Sequence, residues 1–481
     1  MKLPELLQQT CYINGEWRKA KHGAVFPVHN PSTGEKIAEA PNMGAEETAE
    51  AIEAASRAFR PWSEKSAKER SSLLRHWHDL ILEHIDDLAA ILTAEQGKPL
   101  AESISEIRYG ASFIEWFAEE AKRVYGDIIP SAVKGQHLLV IKQPIGVVAA
   151  ITPWNFPNAM ITRKCAVALA VGCPIVVKPA EATPLSAFAL AKLAEKAKIP
   201  PGVLNILTGE PASIGAEMTR NPLVRKVSFT GSTRVGKQLM EQSASTVKKI
   251  SLELGGSAPF LVFDDSKIDS AVDGLIVSKF RNTGQACVCA DRIFVQDTIF
   301  DAFADALVKK VSTLKVGDGR EPGVQQGPLI NEAAVEKVER HLQDALSKGA
   351  KLLCGGKRHR LGKTFFEPTV LSEVTSSMQL MQEETFGPVA PLMRFSSEEE
   401  AIRQANDTNY GLASYVYTRD IDRIWRLSEQ LEFGMVGVNG GMLSNEVAPF
   451  GGVKESGIGR EGSKYGLDDY LEIKYICMTS S

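Results

Sequence analysis

Two cysteines stand one residue apart in the segment GQACVCA, residues 284–290, of a chain that has seven cysteines in all. Such a pair could be half of a metal site, a disulfide, two buried spacers, or a reactive thiol with a neighbour. Zinc sites usually combine two spaced pairs, and His341 and Cys354 lie far along the chain, so we expect no metal. A nucleophile must be partly exposed, and Cys287 lies in a loop just after a predicted helix. Spacing alone leaves a catalytic Cys287 and a buried spacer both open, because buried free cysteines are common.

A second segment that could take part in binding or catalysis is FTGSTRVG, residues 229–236, which follows a predicted strand and begins a helix. In this context backbone N–H groups and the helix dipole favour a bound pyrophosphate. The segment is not GxGxxG, because Thr233 stands where that pattern has its middle glycine. An ordinary strand-to-helix turn therefore remains an equal alternative.

From residue 145 onward, short apolar runs that predict strands alternate with predicted helices. These elements must position the two segments. Runs such as VVAAI and IVV lack polar alternation, which is typical of strands buried on both faces of a parallel sheet. A helix over 158–171 is predicted to end at Gly172, and the next is predicted to have Thr183 as N-cap and Pro184 at its first position. The alternation predicts a doubly wound nucleotide-binding α/β fold, and a second α/β pattern begins after Gly256.

The length of the chain predicts its number of domains, and its charge limits the kinds of molecule that it could bind. A chain of 481 residues exceeds what one hydrophobic core usually serves, so two or three domains are expected. The net charge of -4, with both signs interspersed, gives no basic stripe for nucleic acid and no polybasic patch for membrane. We therefore expect a small-molecule partner.

Localisation is predicted from the start of the chain and from its cysteines. The first residues, MKLPELLQQTCYINGEW, show neither a secretory nor an organellar leader, and the weakly polar run at 165–177 is too short to span a bilayer. An odd number of scattered cysteines is typical of reduced thiols, so we expect a cytoplasmic protein.

Seven segments together resemble one enzyme family. Their types, order and spacing are similar to those of the NAD(P)-dependent aldehyde dehydrogenase superfamily from end to end of the chain. Three further stretches, FRNTGQACVCA, WFAEEAKRVYGD and EGSKYGLDDYLEIKY, resemble its succinate-semialdehyde dehydrogenase branch in particular. The seven segments are TPWNFP at 152–157, KPAEATP at 178–184, FTGST at 229–233, LELGG at 252–256, GQACVCA at 284–290, EETFGP at 383–388 and PFGGVKESGIGREG at 449–462.

The resemblance implies an aldehyde dehydrogenase-like α/β fold with a Rossmann-type cofactor domain, an α/β catalytic domain and a small β oligomerisation arm. The expected domains are 1–122 with 143–252 for NAD(P) binding, 253–458 for catalysis, and 123–142 with 459–481 for oligomerisation. The last two segments are rich in β-forming residues that could pair between subunits. A homodimer or homotetramer is expected.

The resemblance also implies catalytic roles. Cys287 would attack the aldehyde carbon as a thiolate, and the resulting oxyanion would accept hydrogen bonds from the Asn155 side chain and the Cys287 backbone N–H. Glu253 would activate the water that hydrolyses the thioester. Cys289 is most simply a packing residue; the alternative is an inhibitory disulfide with Cys287, since residues two apart can come within reach if the loop bends.

Cofactor contacts follow from the same resemblance. Glu181 would accept hydrogen bonds from a free 2'-hydroxyl but repel a 2'-phosphate, so NAD is expected over NADP, with NADP as the alternative. The implied cofactor residues are Lys178 and Glu181 for the adenosine ribose, Trp154 for the adenosine side, Gly231 and Ser232 for the pyrophosphate, and Glu384 and Phe386 for the nicotinamide ribose and ring.

For the substrate, the resemblance assigns Arg163, Arg281 and Ser444 to a carboxylate at the far end of the aldehyde. The expected reaction is oxidation of succinate semialdehyde to succinate. The same arginines could accept glutarate semialdehyde, because one methylene contributes only about 1 to 3 kcal/mol of discrimination. Relatives that pass the thioester to coenzyme A lack a water-activating glutamate, so Glu253 favours hydrolysis over that class.

Overall fold

The computed structural model describes residues 6–479. The strands are β1 Cys11–Ile13, β2 Glu16–Arg18, β3 Val25–His29, β4 Lys36–Pro41, β5 Asp127–Ile129, β6 Gln136–Pro144, β7 Val147–Ile151, β8 Ile175–Lys178, β9 Leu204–Ile206, β10 Val224–Thr230, β11 Lys249–Glu253, β12 Ala258–Val262, β13 Ala290–Gln296, β14 Lys351–Cys354, β15 Thr369–Ser372, β16 Val389–Phe395, β17 Ala413–Tyr417, β18 Met435–Val438, β19 Gly457–Ile458 and β20 Leu471–Thr479. The helices are α1 Ala45–Ser63, α2 Ala67–Glu83, α3 Ile85–Gln96, α4 Leu100–Glu120, α5 Ala159–Val171, α6 Leu185–Lys196, α7 Pro211–Arg220, α8 Thr233–Ser243, α9 Ile268–Phe280, α10 Phe300–Val311, α11 Glu332–Ser347, α12 Gln379–Gln382, α13 Glu398–Asn406 and α14 Ile421–Gln430.

The first sheet has the strand order β19-β11-β10-β7-β8-β9-β1-β2. Its five central strands, β11 to β9 in that order, are parallel, and short antiparallel strands close both ends. The apolar runs predicted as buried strands are β7 and β8, and almost all their residues are buried. The doubly wound fold expected from these runs is confirmed.

A second sheet follows with the order β14-β15-β16-β13-β12-β17-β18, parallel except for β14 at its edge. Glu253 ends the β11 strand of the first sheet, whereas Cys287 lies between α9 and the β13 strand of the second. The candidate nucleophile and the candidate base therefore meet at the junction of the two sheets. The predicted domain limits stay a prediction, and residues 1–5 and 480–481 of those limits lie outside the described residues.

The third sheet is antiparallel, with β6 between β5 and β20. Strands β6 and β20 pair over nine residues, from Leu471 opposite Pro144 to Thr479 opposite Gln136. The two β-forming segments noted in the sequence therefore pair with each other within one chain. Their pairing with another subunit stays a prediction.

One predicted helix start is wrong. The α6 helix has Pro184 as its N-cap, and Thr183 makes no capping hydrogen bond; its hydroxyl donates to the Trp154 carbonyl at 3.4 Å. The first N–H groups of α6, on Leu185 and Ser186, instead donate to the Glu95 carboxylate at 2.7 and 2.8 Å. A distant buried side chain replaces the local cap that the sequence suggested.

None of the helices between residues 6 and 479 is both long and apolar enough to cross a membrane.

Candidate active site

A cavity of about 660 Å³ lies where the two large sheets meet. It brings together Cys287 with ten of the other predicted site residues, whereas Lys178, Glu181 and Cys289 do not line it. The ten are Glu253, Asn155, Trp154, Gly231, Ser232, Glu384, Phe386, Arg163, Arg281 and Ser444. The sequence places these residues almost 300 positions apart at the extremes, so only the fold makes them neighbours.

Cys287 is half-buried in the loop after α9. Burial raises the pKa of its thiol to about 12, the nearby Glu384 and Glu253 raise it further, and Arg163 partly opposes them. A thiol in these surroundings holds its proton more tightly than an exposed one. Its attack on a carbonyl requires a group that removes the proton.

Glu253 can remove the Cys287 proton, because it lines the same cavity and its surroundings raise its pKa. Its side chain is buried, and within residues 6–479 neither carboxyl oxygen has a hydrogen-bond partner. Burial raises the pKa of Glu253 well above its ordinary value, and the negative charge of Glu461 adds to this, while Arg163 and Lys164 oppose it. A carboxylate whose pKa is raised binds a proton more readily than an exposed one, which suits a general base.

Asn155 lies just before α5, and hydrogen bonds of both its side chain and its backbone carbonyl fix its position. Its side-chain amide donates to the Gln285 carbonyl at 3.0 Å, and its own carbonyl accepts from Lys98 Nζ at 2.7 Å and from Asn282 Nδ2 at 3.0 Å. One amide hydrogen of Asn155 remains available to the cavity. The geometry therefore permits the oxyanion contact that was expected.

Sequence analysis missed the polar network that holds Asn155. Lys98 and Glu106 form a fully buried ion pair at 2.5 Å, and the other Glu106 oxygen accepts from the Asn158 and Ala159 backbone N–H groups at 2.9 and 3.2 Å. The signal was present, since Glu106 falls on the mostly apolar buried face of α4. A buried carboxylate on such a face needs a partner, and here the partner orients a candidate catalytic loop.

The far end of the cavity carries two cations and a hydroxyl. Arg163 is almost fully buried on α5, with Nε 2.9 Å from Glu461 Oε2 and its guanidinium 4.3 Å from the centre of the Phe450 ring. Its Nη2 has no hydrogen-bond partner among the described residues. Arg281 is half-buried beside the Phe156 ring, and Ser444 lines the same end. Two arginines and a hydroxyl at one end of the cavity suit a carboxylate.

The opposite end of the cavity is formed by the start of α8 and by aromatic side chains. Ser232 is the N-cap of α8, and its hydroxyl accepts from the Val235 N–H at 3.4 Å. The Trp154 and Phe386 rings meet edge to face at 5.5 Å, and Phe386 has a φ of 56°, which is rare for a bulky side chain. Thr230 lines this end with its hydroxyl unpartnered among the described residues. A helix N-terminus, ring faces and a free hydroxyl fit a dinucleotide.

Glu384 lies between the two ends. One carboxyl oxygen accepts from the Gly256 N–H at 3.1 Å, and burial raises the pKa of Glu384 to about 8, with the charge of Asp291 contributing. The whole cavity thus combines a thiol, a carboxyl group with a raised pKa, a hydrogen-bond donor for an oxyanion, an end that suits an anion and an end that suits a dinucleotide.

Comparison with known proteins identifies the family to which this combination belongs. Residues 17–476 match the aldehyde dehydrogenase family. The chain belongs to that family. The resemblance seen in the seven sequence segments is therefore confirmed.

Individual relatives match over nearly their whole length. The chain is 60% identical to a protein of Pseudomonas putida named 3-sulfolactaldehyde dehydrogenase, over 99% of this chain and 98% of that one. It is 59% identical to the succinate-semialdehyde dehydrogenase [NADP(+)] of Escherichia coli, over 99% and 100%, and 58% identical to the glutarate-semialdehyde dehydrogenase of Pseudomonas aeruginosa, over 99% of each. The crystal structure of the succinate-semialdehyde dehydrogenase from Burkholderia pseudomallei matches with a TM-score of 0.99 at 62% identity, covering 100% of both chains.

Two predicted cofactor residues of this aldehyde dehydrogenase lie outside the cavity lining. Lys178 ends β8, and its ammonium group pairs with the half-buried carboxylate of Glu181. Backbone N–H groups of the α7 start lower the pKa of Glu210, and the charge of Lys178 adds to this. Lys178 therefore pairs with Glu181, and its charge also acts on Glu210, at the carboxyl edge of the first sheet.

Cys289 is buried behind the cavity of the aldehyde dehydrogenase. Its thiol faces the Lys279 carbonyl at 3.9 Å, and burial raises its pKa to about 11. Cys287 and Cys289 are both free thiols. A regulatory disulfide between them stays a prediction.

Proposed function

We propose that this aldehyde dehydrogenase oxidises succinate semialdehyde to succinate, with NAD as its preferred cofactor. The observation that carries the proposal is the pair Arg163 and Arg281, which lines the cavity that also contains Cys287 and Glu253. Guanidinium groups bind carboxylates through paired, charge-assisted hydrogen bonds. The names of the relatives from Escherichia coli and Burkholderia pseudomallei support this substrate.

In the proposed mechanism, the carboxylate of the substrate lies between the two arginines and the aldehyde carbon lies beside Cys287. Glu253 takes the thiol proton as the Cys287 sulfur bonds to the aldehyde carbon. The aldehyde oxygen becomes an oxyanion, which accepts hydrogen bonds from the Asn155 amide and the Cys287 backbone N–H. Preorganised donors of this kind contribute about 3 kcal/mol each in related acyl-transfer sites.

A thioester on Cys287 is then hydrolysed. When bound, the nicotinamide cofactor supplies the acceptor for the hydride that leaves the aldehyde carbon. Glu253, after releasing its first proton to solvent, accepts a proton from water as the water oxygen attacks the thioester carbon. The carbon–sulfur bond breaks, the Cys287 sulfur takes back the proton that Glu253 holds, and the acid product loses its carboxyl proton to solvent and leaves as succinate.

The preference for NAD is argued from charge. Lys178 pairs with Glu181 and its charge also acts on Glu210, so the ribose end of the proposed cofactor site has more negative than positive side chains. A 2'-phosphate would meet this excess, whereas a 2'-hydroxyl can donate to Glu181. Glu181→Gln should therefore raise kcat/KM with NADP by about fivefold, because one nearby surface charge contributes about 1 kcal/mol. A wild-type enzyme with higher kcat/KM for NADP than for NAD would refute the preference.

Glutarate semialdehyde is the second candidate substrate. It carries the same terminal carboxylate on a chain one methylene longer, and relatives at 58% and 59% identity bear its name. A coenzyme A-acylating reaction is disfavoured, because the unpartnered carboxyl of Glu253 lies in the cavity where water must be activated.

The proposal extends to assembly and location. Strand alternation places Ile129, Val140, Tyr475 and Ile473 on one face of the third sheet, together with Asp127 and Lys142, and Ile473 is 71% exposed. An apolar face of this kind suits a second copy of the chain, so a homodimer or homotetramer is proposed. The cytoplasm is the proposed compartment, since the candidate nucleophile must remain a reduced thiol.

The test of the substrate is removal of each arginine. Arg163→Ala and Arg281→Ala should each lower kcat/KM for succinate semialdehyde by about tenfold to a hundredfold, because charge-assisted hydrogen bonds contribute about 1.5 to 3 kcal/mol. Activity with butanal, which has no carboxylate, serves as the matched control and should change little. Unchanged kcat/KM for succinate semialdehyde in both variants would disprove the carboxylate site.

A further inference from the structure

Tyr109 occupies the space between two of the residues assigned to the carboxylate. It lies on α4, is half-buried, and lines the far end of the cavity. Its hydroxyl accepts from Arg163 Nη1 at 3.0 Å and is hydrogen-bonded to the Ser444 hydroxyl. Three side chains from α4, α5 and the loop after β18 are thus joined in one chain of hydrogen bonds.

The Tyr109 ring is fixed independently of its hydroxyl. It packs edge to face on Phe113 at 5.1 Å, and the Phe113 ring in turn lies 4.9 Å from the Arg163 guanidinium. The hydroxyl is therefore held at a defined position beside the arginine, where little conformational entropy must be lost when a ligand binds.

A count of the hydroxyl protons in this chain of hydrogen bonds leaves one donor free for a ligand. A guanidinium group only donates, so the Tyr109 oxygen must accept from Arg163. Tyr109 and Ser444 together have two hydroxyl protons, and the bond between them uses one. The other proton, on Ser444 when Tyr109 donates or on Tyr109 when Ser444 donates, is available to an acceptor in the cavity. The positive charge at one end polarises the chain and strengthens that donor.

From this arrangement we infer that Tyr109 is a specificity-determining residue, which selects aldehydes with a terminal anionic group by presenting this hydroxyl proton beside Arg163. The inference rests on the proposed function, since it assumes that the anion-binding end receives a substrate carboxylate. A carboxylate accepts from Arg163 Nη2 and from the hydroxyl at once, and an uncharged aldehyde gains from neither.

Tyr109→Phe tests the inference because it removes the hydroxyl and keeps the ring. KM for succinate semialdehyde should rise by about tenfold or more, as expected for a lost hydrogen bond to a charged group, while kcat stays within about twofold. For butanal, kcat/KM should stay within about twofold of the wild-type value. Ser444→Ala should have a similar effect, and the double variant should lose less than the product of the two single losses.

Ser112→Ala is the matched control for a purely structural role. The Ser112 hydroxyl lies within hydrogen-bonding distance of the Tyr109 backbone carbonyl at 2.9 Å and of the Glu446 carboxylate in the loop after β18 at 3.1 Å, but Ser112 does not line the cavity. Ser112→Ala should leave KM for succinate semialdehyde unchanged. A rise in KM equal to that of Tyr109→Phe would show that the contact only positions the loop, and would overturn the inference.

Arg281→Ala, measured in the same assay, separates the inference from the function on which it rests. If Arg281→Ala raises KM for succinate semialdehyde and Tyr109→Phe does not, the inference is wrong and the substrate stands. If neither variant changes KM, both are wrong. Equal losses with succinate semialdehyde and butanal in Tyr109→Phe would also overturn the inference, since no selection for the anion would then exist.

Discussion

At the scale of single residues, the chemistry of the site depends on the proton of Cys287. Burial and two nearby carboxyl groups raise the pKa of the thiol to about 12, while Glu253 has a raised pKa for the same reason. Glu253 can accept the thiol proton only when its own carboxyl group is deprotonated, so activity should increase as the pH rises through the raised pKa of Glu253. The arrangement keeps the thiol unreactive until a substrate and a base are in place.

Alkylation of Cys287 provides the test. In the enzyme without cofactor or substrate, the rate of reaction with iodoacetamide should keep rising from about pH 7 to about pH 10 without a plateau, because the thiolate fraction increases tenfold per pH unit below the pKa. Peptide mass spectrometry follows Cys287 alone, and N-acetylcysteine added to the same mixture serves as internal reference. A plateau of the Cys287 rate below about pH 8 would show that the resting thiolate is stabilised after all.

The site residues that sequence could supply are those in distinctive segments, such as Cys287 and Asn155. Lys98, Glu106 and Tyr109 were missed, because a lysine between two helices, or a glutamate or tyrosine within one, looks like an ordinary surface or core residue. Only the packing of α4 against α5 shows that these side chains face the cavity or hold its walls. The raised pKa of the Cys287 thiol could not be predicted either, because burial is a property of the folded chain.

At the scale of elements, the turn after α9 holds the nucleophile loop against the oxyanion donor. Asn282 has a φ of 50° and makes three side-chain hydrogen bonds, donating to the Asn155 and Gln285 carbonyls and accepting from Gln96 Nε2 at 2.9 Å. Left-handed backbone is costly for most residues and is tolerated best by Gly and Asn.

Asn282→Ala should therefore lower kcat by about a hundredfold, the loss seen when an oxyanion donor is displaced, and should also lower the thermal unfolding midpoint. Asn282→Gly separates the two causes, since glycine accepts the positive φ but lacks the amide. We expect the glycine variant to recover stability but not kcat in steady-state assays. Full kcat in either variant would refute a role of Asn282 in positioning Asn155.

Elements were predicted well where burial dominates and poorly where a distant partner decides. The β7 and β8 strands were found because strands buried on both faces are continuously apolar. The β14 strand is mostly exposed at a sheet edge and gave no such signal. The start of α6 was misplaced because its cap is Glu95, which lies 90 residues before Leu185 and cannot be recognised from local sequence.

At the scale of the whole molecule, the exposed apolar face of the third sheet should be the contact between subunits. Ile473→Asp combined with Tyr475→Asp places two charges on that face and should shift sedimentation velocity toward the monomer. Ile421→Asp on α14, where the wild-type side chain is 62% exposed, is the matched control and should leave the assembly unchanged. A double variant that sediments like the wild type would place the contact elsewhere.

The anion-binding end, the thiol and the base lie in one cavity between two sheets, and the central claim is that this cavity selects a carboxylated aldehyde. The most direct measurement is kcat/KM, from NADH formation, for succinate semialdehyde beside butanal, which has the same carbon count without the carboxylate. Two arginine contacts predict a preference for succinate semialdehyde of about a hundredfold or more. Equal values, or a preference for butanal, would contradict the account.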